Sequence, residues 1–291
     1  MATSSQKDLA IVIVSWNVKD VVLANLRSVF LSRGVINHAP TLDVILVDNA
    51  SQDGTVEAVR AAFPDVQIIA NTENLGFAKA CNQGLALSSA RHKLLLNPDM
   101  RVEPDAFANT ISYLDTHPEV AVLGARLVGE DGKVMHHMRR FPTVLDQVLI
   151  ALKLKKLFPR VMNRYMGTDL DAEQEQQADS VRGAYFAISQ NALEKIGVLD
   201  ERYYIWFEEV DYCKRVKQAG MKVMYVPSVH AHDLVGKSFA QRDVRWKQTQ
   251  FRNSMISYFD RWHAGIGAWT IRIAWTLVWP YILLKTRKPI V

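Results

Sequence analysis

The chain has 291 residues, of which 49% are hydrophobic, and this is enough to bury a large core. Its formal net charge of +5 favours anionic partners such as nucleotides, pyrophosphate lipids or a phospholipid surface, and is too small to indicate a nucleic-acid-binding protein. Two cysteines, Cys81 and Cys213, exclude a disulfide framework and a zinc site, so we expect free thiols in an intracellular protein.

The first hundred residues alternate strand-like and helix-like patterns. Four apolar or β-branched runs predict strands at Leu9–Ser15, Leu42–Val47, Val66–Ala70 and His92–Leu96. Helical spacing between these runs predicts three helices. The first covers Val18–Ser32, the second ends at Phe63, and the third runs from Gly76 to about Ala90. This alternation predicts an α/β fold whose central sheet is mostly parallel and flanked by helices on both faces.

The second half of the chain continues with mixed elements. Their predicted bounds are Pro104–His117 for a helix, Val120–Val128 for a strand, Glu130–Lys133 for a hairpin turn, Ser180–Ser189 for a strand, Glu208–Ala219 for a helix and Met221–Val226 for a strand. The acidic stretch Asp169–Asp179 has few apolar residues, and we expect it to be a mobile loop.

The C-terminal segment carries a basic helical pattern over Val244–Trp262 and an apolar stretch over Ala264–Leu284. A bilayer core needs about 20 apolar residues, so this stretch is just long enough to span one. Arg272, Pro280 and several tryptophans favour instead a helix that lies in the membrane interface. The alternative is a C-terminal helix that packs on the domain.

Polar residues follow two strands of the expected parallel sheet. Asp48 ends one strand and could hydrogen-bond a ribose or a base, or cap a helix. Asn97, Pro98 and Asp99 end another, because proline has no N–H for the ladder. A carboxylate at this edge suits a divalent cation that holds phosphate oxygens, and the alternative is a simple turn.

Other polar residues could complete such a site. The histidine His232 could join Asp99 in binding the metal, and the helix start at Gly76 suits an anion. The adjacent guanidinium groups of Arg139 and Arg140 could hold a phosphate, or form a solvated basic turn.

Three acids crowd the start of the predicted helix at Glu208. Glu208, Glu209 and Asp211 follow the aromatic pair Trp206 and Phe207. An apolar wall and like-charged neighbours raise a carboxyl pKa, which suits a general base that removes a proton from a sugar hydroxyl. The alternative is an ordinary helix with acids in its first turn. A metal at Asp99 would then neutralise a departing nucleoside diphosphate.

Several ordered segments together resemble the glycosyltransferase 2 family of the GT-A fold, over about residues 9–260, and its rhamnosyltransferase-like branch in particular. The segments are Ile11–Asn17, Val47–Gly54, Asn74–Asn82, Leu95–Asp99, Arg139–Pro142, Gly183-Ala184, Phe207–Asp211, and His232 with Gly236 and Ser238. That branch builds O-antigen and cell-wall linker sugars.

The resemblance implies an inverting transfer from a nucleotide sugar with Mg²⁺ or Mn²⁺. Asp99 matches the last acid of the family's Asp-x-Asp metal motif, in which Asn97 replaces the first acid. Glu209 falls where the base usually lies, with Glu208 and Asp211 as alternatives. His232 matches the metal-binding histidine, with His230 as the fallback. The substrate-binding residues would be Ser15, Asn17, Asp48, Asn49, Asn74, Gly76, Phe77, Lys79, Asn82, Asn97, Arg139, Arg140, Arg182, Gly183, Ala184 and Trp206.

We expect L-rhamnose to be moved from dTDP-rhamnose to a polyprenyl-diphosphate-linked saccharide. The alternatives are a UDP-hexose-dependent transferase and a noncatalytic nucleotide-sugar-binding subunit. The presence of both Asp99 and Glu209 disfavours the noncatalytic subunit. We expect a catalytic domain over residues 1–240, with a nucleotide-sugar half at about 9–100 and an acceptor half at about 101–240. Residues 241–291 would attach to the cytoplasmic face of the inner or plasma membrane, either peripherally or as an anchor. Homo-oligomerisation stays open.

Overall fold

The computed structural model of the chain describes residues 6–32, 40–234 and 241–286. Its strands are β1 Leu9–Ser15, β2 Leu42–Asp48, β3 Gln67–Ala70, β4 His92–Leu96, β5 Met100–Val102, β6 Val120–Gly129, β7 Gln176–Gln177, β8 Tyr185–Ile188 and β9 Lys222–Asp233. Its α-helices are α1 Lys19–Leu31, α2 Thr55–Ala62, α3 Phe77–Leu87, α4 Ala106–Thr116, α5 Val144–Ala151, α6 Pro159–Met166, α7 Gln190–Ile196, α8 Glu208–Gln218, α9 Val244–Trp262 and α10 Ile266–Lys285.

The strands form a single sheet in the order β3-β2-β1-β4-β8-β6-β9-β5, and β7 pairs with β9 outside this path. The parallel arrangement that the sequence predicts is confirmed for β3, β2, β1 and β4. The other half is mixed, because β8 runs antiparallel to both β4 and β6 while β9 runs parallel to β6. The fold is therefore α/β with a central sheet flanked by helices.

Strand β1 shows why the sheet needs helices on both faces. All seven of its residues are buried. Leu9, Ile11 and Ile13 pack into one layer with residues of α1, α2 and α4. Ala10, Val12 and Val14 pack into the opposite layer with residues of α3, α7 and α8. Alternate side chains of a strand point to opposite faces, so a continuous apolar run requires cover on both sides.

The parallel strands bring polar residues to one edge of the sheet. Ser15 pairs with Asp48 in the register of β1 and β2. Asn97, directly after β4, donates its backbone N–H to the carbonyl of Ala184 at 2.9 Å. This bond joins the end of β4 to the entry of β8, so residues from both halves of the chain meet at this edge.

Two predictions about the second half have different outcomes. The turn at Glu130–Lys133 is confirmed, because Val128 and Val134 pair across it. The segment Asp169–Asp179 is not wholly a loop, since Gln176 and Gln177 form β7. A mobile loop was inferred from the low apolar content of this segment. Backbone pairing with β9 holds it in place, and such pairing needs no apolar side chains.

Helices α5, α9 and α10 form a third core together with Tyr203 and Phe207. The side chain of Trp275 is fully buried in this core, so α10 packs on the rest of the protein through one side. Within the described ranges, none of the helices is long and apolar enough to cross a membrane. Both cysteines are buried and unbridged, as the sequence predicts.

Candidate active site

Three neighbouring cavities share wall residues next to the polar edge of the sheet. The first, called the Asp99 cavity, has a volume of about 740 Å³ and includes Ser15, Asn49, Asn74, Gly76, Phe77 and Asp99 among its wall residues. The second, called the glutamate cavity, has about 460 Å³ and includes Gly183, Ala184, Trp206, Glu208 and Glu209. The third, called the arginine cavity, has about 690 Å³ and includes Arg139, Arg140, Tyr165 and Phe251.

The side chain of Arg182 lines all three cavities. Asn97 lies in the walls of both the Asp99 cavity and the glutamate cavity. Glu209 and Trp206 line both the glutamate cavity and the arginine cavity. The three cavities therefore share walls, and Asp99 and the two glutamates line neighbouring cavities.

The two glutamates at the start of α8 have incompletely satisfied carboxyl groups. Glu208 is buried, and neither its Oε2 atom nor that of Glu209 has a hydrogen-bond partner among the described residues. Burial raises the pKa of Glu208 well above the usual value for a glutamate, and the charge of Glu209 adds to this. Burial also raises the pKa of Glu209. A carboxyl with such a pKa is a competent proton acceptor near neutral pH.

Local backbone strain directs these glutamates toward the cavity. Trp206 and Phe207 have φ values of 66° and 70°, in the left-handed region that bulky residues rarely adopt. The chain thereby turns sharply into α8, whose first two residues are Glu208 and Glu209. Gly183 lies against this turn, because a Cβ atom built on it would be 3.7 Å from the Cβ of Glu209.

Asp211, the third candidate base, is hydrogen-bonded within the protein, away from the three cavities. It is fully buried and does not line any of the three cavities. Its carboxylate accepts hydrogen bonds from the side chains of Tyr203, Arg215, Arg261 and Trp262 at 2.8 to 3.2 Å. These bonds tie α8 to α9, so only Glu208 and Glu209 remain at the cavity.

Asp48, the predicted nucleotide contact, is similarly satisfied within the protein. Its Oδ1 accepts hydrogen bonds from the hydroxyls of Ser15 and Ser51 at 2.8 and 2.5 Å, and its Oδ2 accepts one from the Ser51 backbone N–H. Asn17 is held in the same cluster, because its backbone N–H donates to the Ser51 hydroxyl. Asp48 and Asn17 are absent from the lining of the Asp99 cavity, whereas Ser15 and Asn49 are part of it.

The helix start at Gly76 is also engaged internally. The Gly76 N–H donates to the side chain of Asn74, and the Phe77 N–H donates to the carbonyl of Tyr204 at 2.6 Å. A Cβ atom on Gly76 would lie 2.6 Å from the Tyr204 carbonyl oxygen, so only glycine fits there. The first two N–H groups are thus occupied, contrary to the expectation of an anion site.

Two predicted substrate residues on α3 lie away from the cavities. Asn82 is buried, and its side chain holds the backbone of Leu199 through two hydrogen bonds. Lys79 is exposed and lines none of the three cavities. Both residues therefore differ from Phe77, which belongs to the walls of two cavities.

The proposed metal ligands do not form a protein cage. Asp99 lines its cavity, but His232 contacts Glu103 at 2.6 Å. Throughout residues 6–32, 40–234 and 241–286, no group of three His, Cys, Asp or Glu residues could hold a metal ion. Mg²⁺ commonly binds one or two carboxylates together with substrate phosphates and water, so Asp99 fits that mode. Gly236 and Ser238 lie outside the described residues.

The three predicted arginines differ in their freedom to reach a ligand. The guanidinium of Arg139 donates to the carbonyls of His136, Met138 and Met166, and burial lowers its pKa. Arg140 pairs with Asp169, and its buried Nε has no hydrogen-bond partner among the described residues. Arg182 pairs with the buried Asp233 at 2.6 Å, and its side chain is 36% exposed. Of these three arginines, Arg182 is the one that lines all three cavities.

Sequence reasoning missed several aromatic and basic residues of the Asp99 cavity. The guanidinium of Arg242 lies 3.7 Å from the ring centre of Trp16 and 4.7 Å from that of Trp246. All three residues line the cavity, as does Tyr204. Trp16 lies within the segment Ile11–Asn17, but Arg242 and Trp246 belong to the segment expected to be a separate membrane region. Residues on both sides of the expected boundary at residue 240 therefore line this cavity.

The sequence is similar to those of two rhamnosyltransferases. The chain is 25% identical over 249 residues to the N-acetylglucosaminyl-diphospho-decaprenol L-rhamnosyltransferase of Mycobacterium tuberculosis, which covers 81% of this chain and 80% of the relative. It is 25% identical over 160 residues to the rhamnosyltransferase WbbL of Escherichia coli, covering 53% of this chain and 57% of that protein.

Solved structures share the fold at low sequence identity. The mannosyltransferase PcManGT from Pyrobaculum calidifontis, in complex with GDP-Man and Mn²⁺, superposes with a TM-score of 0.59 at 16% identity, covering 98% of this chain and 77% of that one. Residues 1–349 of TarS from S. aureus superpose with a TM-score of 0.54 at 12% identity, covering 87% and 72%. The family model for glycosyl transferase family 2 matches residues 10–197. The chain belongs to glycosyl transferase family 2.

Proposed function

We propose that the protein is an inverting glycosyltransferase that moves L-rhamnose from dTDP-rhamnose to a saccharide linked to a polyprenyl diphosphate, in the synthesis of a cell-surface polysaccharide. The observation that carries this proposal is that three neighbouring cavities share the wall residues Glu209, Asn97 and Arg182. The similarity to two rhamnosyltransferases supports the choice of sugar, and the decaprenol-linked substrate in the name of the mycobacterial relative supports the lipid-linked acceptor.

In this proposal the donor and the acceptor approach Glu209 from opposite cavities. The nucleotide occupies the Asp99 cavity, its sugar lies in the glutamate cavity, and the acceptor enters through the arginine cavity. Glu209 accepts the proton of the acceptor hydroxyl, whose oxygen then attacks the anomeric carbon. The bond from that carbon to the diphosphate breaks, and the nucleoside diphosphate leaves with its electron pair. Attack from the face opposite the leaving group inverts the anomeric centre.

Asp99 is the residue that would hold a divalent cation, Mg²⁺ or Mn²⁺, together with donor phosphate oxygens. Such an ion supplies positive charge to the leaving diphosphate. Arg182 would add a second positive charge next to the same phosphates, since guanidinium groups bind phosphate oxygens in a fixed geometry. The nearby Arg140 would face the acceptor from the arginine cavity.

We also propose that the protein lies on the cytoplasmic face of the membrane through α10. One side of this helix packs on the third core, while Trp269, Ile273 and Leu277 on the other side are 56% to 69% exposed. An exposed apolar stripe with tryptophan suits the interfacial region of a bilayer. Replacing these three residues with serine should move the protein to the soluble fraction. Deleting α10 would be a poorer test, because it would also remove the buried Trp275.

A binding comparison tests the donor assignment. Titration with dTDP and with UDP in the presence of Mn²⁺ should show tighter binding of dTDP. Tighter binding of UDP would favour the alternative of a UDP-hexose-dependent transferase. Neither binding result tests whether the protein transfers the sugar.

The catalytic role is tested by nucleotide release. Asp99→Ala should abolish release of dTDP from dTDP-rhamnose in the presence of acceptor, whereas the exposed control Asp65→Ala should not change it. Unchanged release by Asp99→Ala would contradict the role of this carboxylate. Absence of release by the unmodified protein, with intact dTDP binding, would favour a noncatalytic nucleotide-sugar-binding subunit.

A further inference from the structure

A wide groove lies apart from the three cavities, between the start of α9 and the end of α10. It has a volume of about 1660 Å³, and its walls include Lys153, Val244, Arg245, Gln248, Tyr281 and Lys285. The first turn of α9 separates this groove from the Asp99 cavity, because Arg242 and Trp246 belong to the wall of that cavity. The proposed transfer reaction uses none of the groove residues.

The charge of the groove is positive. Three cations line the groove: Lys153 just after α5, Arg245 in α9 and Lys285 in α10. Among the described lining residues Asp243 is the one acid, and its Oδ1 accepts the Trp246 backbone N–H at 2.7 Å as the cap of α9. This acid is committed to the helix start, so the groove offers a net attraction to an anion.

Lys153 holds an unfavourable backbone conformation in this groove. Its φ is 62°, at the end of α5, where glycine is the usual residue. Its ammonium group lies 5.4 Å from the ring centre of Trp275 and donates a hydrogen bond to Gln248 at 2.7 Å. Burial lowers the pKa of Lys153. Lys153 thus stands at a position that suits glycine, and its side chain reaches both Trp275 and Gln248.

The groove continues into the exposed apolar side of α10. Trp269, Ile273, Leu277, Tyr281 and Leu284 follow at intervals of three or four residues and are 54% to 69% exposed. Tyr281 also belongs to the groove wall, and Lys285 follows it by one turn. Cations therefore border an apolar stripe, which is the arrangement that binds an anionic headgroup above acyl chains.

Charge also argues against a second copy of the chain as the occupant of the groove. A two-fold symmetric interface brings the same patch of both subunits together. A contact in which this groove faced the same groove of the partner would bring Lys153, Arg245 and Lys285 close to the partner's three cations. A membrane leaflet that contains anionic lipids has the opposite charge.

We propose that this groove binds the phosphate headgroup of an anionic phospholipid in the bilayer on which the protein lies. The inference rests on the proposed membrane location and does not depend on the transfer chemistry. The apolar stripe supplies affinity for any bilayer, and the groove supplies a preference for anionic lipids. Bound in this way, α10 would be fixed in one orientation on the membrane.

Vesicle co-sedimentation tests the proposal. The unmodified protein should bind vesicles of phosphatidylcholine mixed with phosphatidylglycerol more tightly than vesicles of phosphatidylcholine alone. The triple variant Lys153→Gln, Arg245→Gln, Lys285→Gln should lose this preference, with binding weaker by about fivefold for each cation removed. The control variant Lys7→Gln, Arg60→Gln, Lys133→Gln removes the same charge from exposed positions outside the groove and should retain the preference.

Several outcomes would overturn the proposal. The first is an unchanged preference in the triple variant. If the triple variant had a raised KM for the acceptor in detergent solution, the groove would bind the acceptor's diphosphate instead. Dissociation of a dimer by the triple substitution would assign it to a second copy. Equal binding of both vesicle types by the unmodified protein would refute headgroup binding by the groove but not the membrane location. Absence of binding to either vesicle type would refute the membrane location.

Two controls keep a negative result interpretable. Binding of dTDP by the triple variant should match that of the unmodified protein, because its substitutions lie outside the three cavities. Thermal unfolding shows whether loss of the hydrogen bond between Lys153 and Gln248 has lowered the stability of the variant. If the triple variant is unstable, the single variant Lys285→Gln at the end of α10 should still reduce the preference about fivefold. A folded Lys285→Gln variant with full preference would contradict the proposal.

Discussion

The acids at the start of α8 occupy two contrasting environments within one turn of helix. Glu208 and Glu209 face the cavities, and each has a carboxyl oxygen without a hydrogen-bond partner among the described residues. Asp211, only two residues further, is fully buried and accepts hydrogen bonds from four side chains. A buried polar group that is fully bonded stabilises the fold, whereas one left unsatisfied at a cavity is available to a ligand.

Asp48 belongs with Asp211 in this comparison. Both carboxylates are buried and receive several hydrogen bonds from the protein itself. Asp48 holds the ends of β1 and β2 together, and Asp211 holds α8 to α9. An acidic residue in a family-like segment can therefore stabilise the structure around the site without contacting a substrate. Substitution distinguishes such a structural role from a role in binding or catalysis.

The largest effect should follow the substitution Glu209→Gln. Loss of the proton acceptor should reduce the rate of sugar transfer by about 10²–10⁴-fold, the usual contribution of general base catalysis. Binding of dTDP should persist, because the nucleotide would occupy the Asp99 cavity. Steady-state kinetics of dTDP release and a dTDP titration measure both quantities.

Glu208→Gln is the matched control for that substitution. It changes a neighbouring carboxyl in the same cavity and should reduce the rate much less. If Glu208→Gln abolished transfer while Glu209→Gln remained active, the two glutamates would have exchanged roles. Equal activity of both variants would remove the glutamates from the chemistry.

Asp211→Asn should mainly reduce stability. Removing one partner of a buried ion pair leaves Arg215 and Arg261 without full compensation, which costs about 3–5 kcal/mol in the free energy of unfolding. Denaturant unfolding measures this loss, and the rate per folded molecule should stay within a few-fold of the original. A stable variant that has lost its activity would place Asp211 in the reaction after all.

The elements of the nucleotide half could be predicted because their signals are local. The run Leu9–Ser15 is a strand with the predicted bounds, and Asp48 and Asp99 do end or follow parallel strands. Strand β9 extends seven residues beyond the predicted Val226 to Asp233, because β5 and β6 supply pairing partners there. The hydrophobic pattern of a strand does not reveal pairing partners that are distant in sequence.

The site was predicted less completely because residue type does not reveal hydrogen-bond partners. Asp48, Asn82 and Asp211 are polar residues in family-like segments, but the structure uses each of them to hold backbone or side chains in place. Arg242 and Trp246 were missed for the opposite reason. They reach the Asp99 cavity only through the packing of α9, more than 200 residues after β1.

Ser15→Ala should cause a smaller loss of stability than Asp211→Asn. It removes one of three hydrogen bonds to the buried Asp48 carboxylate, and a bond to a charged group contributes about 1.5–3 kcal/mol. Ser112→Ala, an exposed position on α4, is the control and should change stability by less than about 0.5 kcal/mol. If Asp48→Asn weakened dTDP binding in a fully folded protein, Asp48 would contact the nucleotide in addition to holding the strands.

The smallest effect should be a difference in how stability depends on pH. The pKa of Glu208 and of Glu209 is raised in the folded protein, so folding favours their protonated forms. Their contribution to stability is therefore complete below about pH 4.5 and declines as the pH rises toward the folded pKa values. Asp200 behaves oppositely, because hydrogen bonds from Arg202 lower its pKa. Its contribution is complete above the usual pKa of about 3.8 and is lost in more acidic solution.

Denaturant unfolding of Glu208→Gln and Asp200→Asn across a pH series separates these two contributions. Glu208→Gln cannot ionise, so the decline in stability above pH 4.5 should become shallower, while the acidic limb stays unchanged. Asp200→Asn should flatten the acidic limb and leave the decline above pH 4.5 in place. If both variants changed the same limb, the cavity carboxyl of Glu208 and the hydrogen-bonded carboxyl of Asp200 would not differ electrostatically.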